Sequence, residues 1–130
     1  MTLEAHAPSI VTLCGIYNLG FAAFHLFFWR IFRWPNSLEP SGEVNVAITQ
    51  TLNIVLTYCF LAYGGWLVWA GIEAALPPSL ALIAGGGFWL LRTVLQPALF
   101  SVRHKTSAWI TVVFAAGVGI HAIAAFLVTG

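Results

Sequence analysis

The sequence predicts an all-α integral membrane protein, a four-helix bundle of four transmembrane helices with short connections. Hydrophobic residues make up 60% of the 130 residues and charged residues only 7%, whereas a soluble domain has about 25% charged residues. The apolar residues fall into four long runs, and the strand-like alternation of polar and apolar residues does not occur. Because backbone groups in lipid must be hydrogen-bonded within the chain, such runs cross a bilayer as helices.

The four runs are long enough to span and together form one predicted domain, residues 1–130. A hydrocarbon core of about 30 Å needs about 20 helical residues. The first run is expected to be retained, because a cleaved signal carries its positive charges in front and here Arg30 and Arg33 follow. The predicted spans are about residues 9–33, 45–72, 79–101 and 107–129.

Local signals predict where some of these helices end. Pro35 disfavours helical backbone at Trp34, so the first helix is expected to end there. Residues 35–43, PNSLEPSGE, are rich in turn-forming residues and predict a connection. Thr106 or Ser107 is the expected N-cap of the fourth helix, because a side-chain hydroxyl can accept from the first N–H groups.

The distribution of cations predicts the orientation. Arg30 and Arg33 flank the first connection, Arg103 and Lys105 lie in the third, and the termini and second connection contain no Lys or Arg. Cytoplasmic loops carry the excess of Lys and Arg. The expected location is the cell (inner) membrane, as a multi-pass protein with both termini outside the cytoplasm.

Polar residues of three predicted spans fall at one depth, in the cytoplasmic half of the bilayer. At about 1.5 Å per residue they lie about 6–13 Å from the cytoplasmic boundary. Spacings of three, four or seven residues place them on single helix faces, and polar faces turn towards the interior of a bundle. The predicted ligand-binding residues are Arg92, His25, Asn53, Gln50 and Gln96.

Arg92 determines the chemistry expected of this layer. No carboxylate is available at its depth, since Glu39 and Glu43 lie in a connection. The forked donors of a guanidinium would suit an external anion or acceptor, such as a lipid phosphate, a carboxylate or a quinone oxygen. The alternative is that Arg92 extends to the headgroups while its stem stays in lipid. Pro97 deprives the carbonyl of Thr93 of a helical donor, which suits both interpretations.

His121 and Asn18 are secondary candidates, at predicted depths of about 21 and 19 Å. A lone histidine on a face of small residues is more often a packed, hydrogen-bonded residue than a ligand. Two haem-ligating histidines would need one depth, and His25 and His121 differ by about 12 Å. Cys14 and Cys59 are single and predict no metal site. The cofactor is therefore unknown.

Three classes of function remain. The favoured one is a non-catalytic accessory or ligand-binding protein whose polar layer holds a lipid, a quinone or another anionic apolar molecule. The alternatives are a small membrane enzyme acting on a lipid or quinone, with His25 as acid/base and Arg92 as anion clamp, and a transporter or channel formed by an oligomer. General acid–base work needs an activated partner, which the sequence does not indicate.

Membrane lipids and either a homo-oligomer or a larger membrane complex are the expected partners. Glycines at residues 64–65, 85–87, 117 and 119 offer more small-residue surface than one bundle needs. The net charge of +1 and the lack of a basic stripe predict no nucleic-acid partner.

Overall fold

The computed structural model describes residues 3–101 and 103–130. Within these residues five α-helices follow in chain order: α1 Ala7–Leu26, α2 Phe28–Ile31, α3 Glu43–Ile72, α4 Ser79–Leu99 and α5 Lys105–Thr129. Short 3-10 helices cover Leu3–His6 before α1 and Asn36–Ser41 between α2 and α3. These parts of the chain contain no strand, so the predicted all-α class is confirmed.

Four of the described helices, α1, α3, α4 and α5, are long and apolar enough to cross a membrane. They contain 20, 30, 21 and 25 residues, and at about 1.5 Å per residue each is about 30 Å long or longer. Large apolar side chains remain exposed on them, as at Leu52, Leu80 and Phe126. Such faces suit lipid as the solvent, and the chain is a multi-pass membrane protein of four-helix architecture.

The first predicted span is divided between two helices. α1 ends at Leu26, and after Phe27 the four-residue α2 continues the helical path. The Ile31 N–H donates to the Phe27 carbonyl at 2.8 Å. Arg33 then adopts a φ of 57°, in the left-handed region, and the Trp34–Pro35 peptide bond is cis. The α-helix ends at Ile31, three residues before Trp34, where the sequence predicts its end.

Residues 15–66 form one compact unit, in which α1 and α3 run antiparallel. The contacting pairs follow opposite directions along the chain, with Trp29 of α2 beside Gln50, and His25, Phe21 and Asn18 of α1 beside Asn53, Phe60 and Gly64 of α3. Gly64 marks a close approach, because an added Cβ would lie 2.9 Å from the Gly15 carbonyl oxygen and 3.0 Å from the Leu19 nitrogen. A larger residue would push the two backbones apart.

The described residues among 1–14 and 67–130 form the other compact unit, where α4 and α5 pack as an antiparallel hairpin. The pairs that define its register are Gly86 with His121, Trp89 with Phe114, and Gln96 with Ser107. In the same unit the last turn of α3 meets the first turns of α1, where Gly71 packs against Pro8 and Thr12.

The start of α5 differs from the sequence prediction. The helix begins at Lys105 and its N-cap is His104, which makes no side-chain cap hydrogen bond. The expectation that Thr106 or Ser107 caps this helix is therefore wrong, and both residues belong to its first turn. The Ser107 hydroxyl instead accepts a hydrogen bond from Gln96 of α4. The hydroxyl that was expected to cap α5 therefore takes part in a contact between α4 and α5.

Candidate functional site

The guanidinium of Arg92, on α4, lies against two aromatic rings. Its Cζ is 4.4 Å from the centre of the Phe114 ring and 5.5 Å from the centre of the Phe100 ring. The side chain is half-buried. Among residues 3–101 and 103–130, no carboxylate pairs with this guanidinium and no oxygen accepts a hydrogen bond from it. Its N–H donors, which lie in the guanidinium plane, remain available to an acceptor.

The ring that meets Arg92 is itself held by a second aromatic contact. Phe114 stacks on Trp89, with ring centres 5.8 Å apart and planes inclined by 24°. Both residues are buried. One helical turn after Trp89, the Thr93 hydroxyl donates to the Trp89 carbonyl at 2.7 Å. Arg92 therefore rests on a packed aromatic surface of α4 and α5.

Gln96 lies one turn beyond Arg92 on α4, and residues four apart share a helix face. Its side chain is 3% exposed. Its Nε2 donates to the Ser107 hydroxyl at 3.0 Å, whereas its Oε1 is buried and accepts no hydrogen bond. A buried acceptor without a donor costs about 1–3 kcal/mol. This part of α4 thus contains the Arg92 guanidinium, which has no counter-ion among the described residues, and the Gln96 Oε1, which accepts no hydrogen bond.

His121 of α5 is fully buried in the same unit. Its Nδ1 lies 2.7 Å from the Gly117 carbonyl oxygen, and because a carbonyl only accepts, Nδ1 carries the proton. A Cβ added at Gly86 would lie 3.3 Å from the His121 Cβ, so α4 approaches this histidine closely. The surroundings are those of a packed, hydrogen-bonded histidine.

His25 and Asn53 meet in the unit of residues 15–66. The His25 Nδ1 donates to the Phe21 carbonyl at 2.8 Å, and its ring stacks on Phe28 with centres 4.4 Å apart. The buried Asn53 side chain donates from Nδ2 to the His25 carbonyl at 3.0 Å. The amide therefore joins α3 to α1 next to the imidazole.

Gln50 and Asn18 make the two remaining contacts of predicted residues in this unit. The Gln50 Oε1 accepts from the Trp29 indole N–H at 2.9 Å, which satisfies a polar group of an aromatic residue near the helix end. Asn18 is 2% exposed and packs against Gly64. Gln50 thus joins α3 to Trp29 of α2, whereas Asn18 takes part in the contact between α1 and α3.

The predicted site residues fall into two described groups, one in each compact unit. His25, Gln50, Asn53 and Asn18 belong to residues 15–66, and Arg92, Gln96 and His121 belong to the other unit. The expectation that one polar layer joins both groups stays a prediction.

Sequence reasoning missed three residues that contact Arg92 or Gln96: Phe100, Phe114 and Ser107. A phenylalanine in an apolar span carries no signal that a cation lies on its face. The pairing of Gln96 with Ser107 depends on how α4 and α5 are rotated against each other, which an apolar pattern around both helices leaves open. In the described chain no group of three or more His, Cys, Asp or Glu side chains is placed to hold a metal ion.

The fold and these contacts define a small multi-pass membrane protein with a half-buried arginine that has no counter-ion among the described residues. Comparisons with known protein families, with curated proteins and with solved structures found no match for this chain. Its function is therefore inferred from the residues alone.

Proposed function

We propose that this protein is a non-catalytic membrane-embedded binding protein, in which Arg92 holds an anionic or acceptor oxygen of an apolar molecule. Lipids and quinones are the two classes that combine such an oxygen with a body soluble in the bilayer. The observation that carries the proposal is the Arg92 guanidinium, which lies on Phe114 without a carboxylate or hydrogen-bond acceptor among the described residues.

The energetics support an external acceptor. A charged side chain within a span costs at least about 2.5–3.5 kcal/mol near the middle of the bilayer. The contact with an aromatic face returns about 0.5–2 kcal/mol. Hydrogen bonds of a charged donor contribute about 1.5–3 kcal/mol each, and the two rings leave the edge of the guanidinium free to make them. Hydrogen bonds to an anionic ligand would therefore offset the part of this free-energy cost that the aromatic contacts leave uncompensated.

The competing explanation is that Arg92 only extends towards the headgroups. Phe100, the C-cap residue of α4, is 52% exposed and lies two turns beyond Arg92. A guanidinium that reaches this ring is directed towards the end of the helix, as snorkelling requires. Lysine separates the two explanations, since its stem reaches the same level and its ammonium also binds aromatic faces, but it lacks the planar fork.

Ligand retention in an Arg92→Lys variant tests the proposal. The wild-type protein is expected to retain a lipid or quinone through mild extraction, detected by native mass spectrometry. Arg92→Lys should lower that retention at least about tenfold, because bidentate hydrogen bonds of about 1.5–3 kcal/mol each are lost, and Arg92→Leu should abolish it.

Arg30→Lys is the matched control, because Arg30 is exposed at the end of α2 and makes the same chemical change. It should leave retention unchanged. If Arg92→Lys retains the ligand as well as the wild type, at equal membrane abundance, then Arg92 only snorkels and the binding proposal is wrong.

We propose the cell membrane as the location, with both termini outside the cytoplasm, on the strength of the cations next to the first and third connections. Single cysteines at Ser37 and Thr106, in a background without Cys14 and Cys59, should resist an impermeant thiol reagent in intact cells. A cysteine at Ala75 should react. All three positions are exposed, so the reverse labelling pattern would mean the opposite orientation.

A further inference from the structure

Tyr58 lies at the middle of α3, on the side of the helix that faces away from α1. The helix runs from Glu43 to Ile72, so about 20 Å of helix extends on either side of this residue. The side chain is 69% exposed, whereas Asn53 and Phe60, on the opposite side of the helix, are buried. Because α3 is a spanning helix, the phenol lies within the hydrocarbon, far from the interfaces where tyrosines are enriched.

The Tyr58 hydroxyl makes no hydrogen bond to any of residues 3–101 and 103–130. A threonine in a span can donate to its own helix, as Thr57 does to the Asn53 carbonyl at 2.7 Å. A tyrosine cannot, because its rigid ring holds the hydroxyl away from the backbone of its own helix. Lipid tails provide no acceptor either, and an unpaired polar group in hydrocarbon is costly. The hydroxyl is therefore suited to a neighbouring molecule that offers a polar group at the same depth.

Tyr58 belongs to a stripe of exposed side chains along α3. Successive residues of the stripe are separated alternately by four and three positions, which gives two interleaved seven-residue repeats. The α3 stripe consists of Val44, Ile48, Thr51, Val55, Tyr58 and Ala62. Such spacing keeps two parallel helices in contact over several turns. Ile48 and Val55 occupy the repeat position at which β-branched residues favour a pair of helices.

We infer that the α3 stripe is a homodimer interface, in which two copies of α3 pack in parallel and the two Tyr58 hydroxyls hydrogen-bond to each other. Two copies insert in the same orientation, so a twofold axis perpendicular to the membrane places each residue opposite its own equivalent. A hydroxyl both donates and accepts, so Tyr58 is complementary to itself. The inference is independent of the Arg92 proposal, because the stripe lies within the compact unit of residues 15–66.

Cysteine cross-linking in native membranes tests which face of α3 meets the second copy. In the full-length chain without Cys14 and Cys59, Ala62→Cys should give a disulfide-linked dimer on mild oxidation, because equivalent stripe positions bring two Cβ atoms into disulfide range. Leu61→Cys is the matched control, since it is exposed and lies at nearly the same depth. It points about 100° away around the helix and should stay monomeric.

Removal of the hydroxyl tests what holds the pair together. Tyr58→Phe keeps the ring and should weaken dimerisation at least about threefold, the effect of an average hydrogen bond between membrane helices. The measurement is energy transfer between fluorescently labelled full-length copies in vesicles, as the ratio of lipid to protein is raised. Tyr63→Phe removes a hydroxyl from the same helix, about 140° away around it, and should leave dimerisation unchanged.

Each possible failure overturns a different part of the inference. Equal dimerisation of the wild type and Tyr58→Phe would overturn the hydroxyl pair, and equal cross-linking of Leu61→Cys and Ala62→Cys would overturn the stripe as the interface. A wild type that is monomeric at every lipid ratio, or cross-links of Ala62→Cys to a different protein, would overturn the second copy as the partner. None of these results would change the expected ligand retention at Arg92.

Discussion

Gly71→Ala is expected to lower the free energy of unfolding by about 3 kcal/mol, the upper end of the usual cost of overpacking. A Cβ at this position of α3 would overlap the Thr12 hydroxyl oxygen and lie 2.6 Å from the Pro8 carbonyl oxygen and 2.9 Å from the Thr12 nitrogen. Two of these atoms belong to the backbone of α1, so a change of rotamer cannot relieve the overlap. The helices must separate, and the packing on both sides of the contact is lost.

The measurement is reversible unfolding in mixed micelles, and Gly65→Ala provides the matched control. Gly65 lies on the same helix, and an added Cβ would meet no atom within 4 Å. Alanine also favours a helix over glycine by about 0.8–1 kcal/mol, so this variant should be as stable as the wild type or more so. Equal destabilisation by both substitutions would contradict the close approach of α1 and α3 at Gly71.

Trp89→Ala is expected to have a comparable effect on the other compact unit. Trp89 is 1% exposed and stacks on Phe114, so alanine leaves a cavity that rigid helices cannot close. Aromatic-to-alanine changes in water-soluble cores cost about 3–5 kcal/mol. Lipid is as apolar as the interior, so the transfer part of that cost is small and we expect about 2–3 kcal/mol from lost packing.

Trp109→Ala is the matched control, because it shows how much the removal of any indole lowers the free energy of unfolding. Trp109 is 70% exposed on α5, and its removal should change the free energy of unfolding by no more than about 0.5 kcal/mol. A loss of ligand retention in Trp89→Ala should accompany the loss of stability, because Phe114 then loses its stack on Trp89 beneath Arg92. Similar unfolding midpoints for the two variants would show that the Trp89–Phe114 stack does not support the hairpin.

The spans were predictable from the sequence because they depend on its composition. Most side-chain contacts between the helices were not, because they depend on how the helices are rotated. A bilayer imposes helical backbone on any long apolar run, so the four spanning helices follow from the distribution of charge without tertiary information. The proximity of His25 and Asn53 also followed from their depth and face. The face of Phe114 under Arg92 did not, because helix rotation decides which of many phenylalanines lies there.

Local backbone details were also beyond the sequence patterns. The helix is interrupted at Phe27, and neither neighbouring residue is a proline or glycine. The sequence therefore contains no helix-breaking residue that would predict this interruption. At the other end of the chain, the hydroxyls of Thr106 and Ser107 suggested a cap, but α5 starts at Lys105. The tertiary bond between Gln96 and Ser107 prevailed over a local preference worth about 1 kcal/mol.

Hydrogen bonds from a side chain to the carbonyl four residues earlier recur in every spanning helix, and they bear on how the protein is made. Thr12, Thr57, Thr93 and Thr111 make such bonds, and so do His25 and His121. These groups are satisfied within a single helix, so each span can leave the insertion machinery for the bilayer before its neighbours exist.

Two side-chain bonds that cross between helices connect spans that are consecutive in synthesis. Asn53 of α3 donates to a carbonyl of α1, and Gln96 of α4 donates to Ser107 of α5. Neither bond has to wait for more than the next span to emerge. These two bonds are thus compatible with biogenesis as two successive hairpins, with the second completing the surroundings of Arg92 only when the last span is inserted.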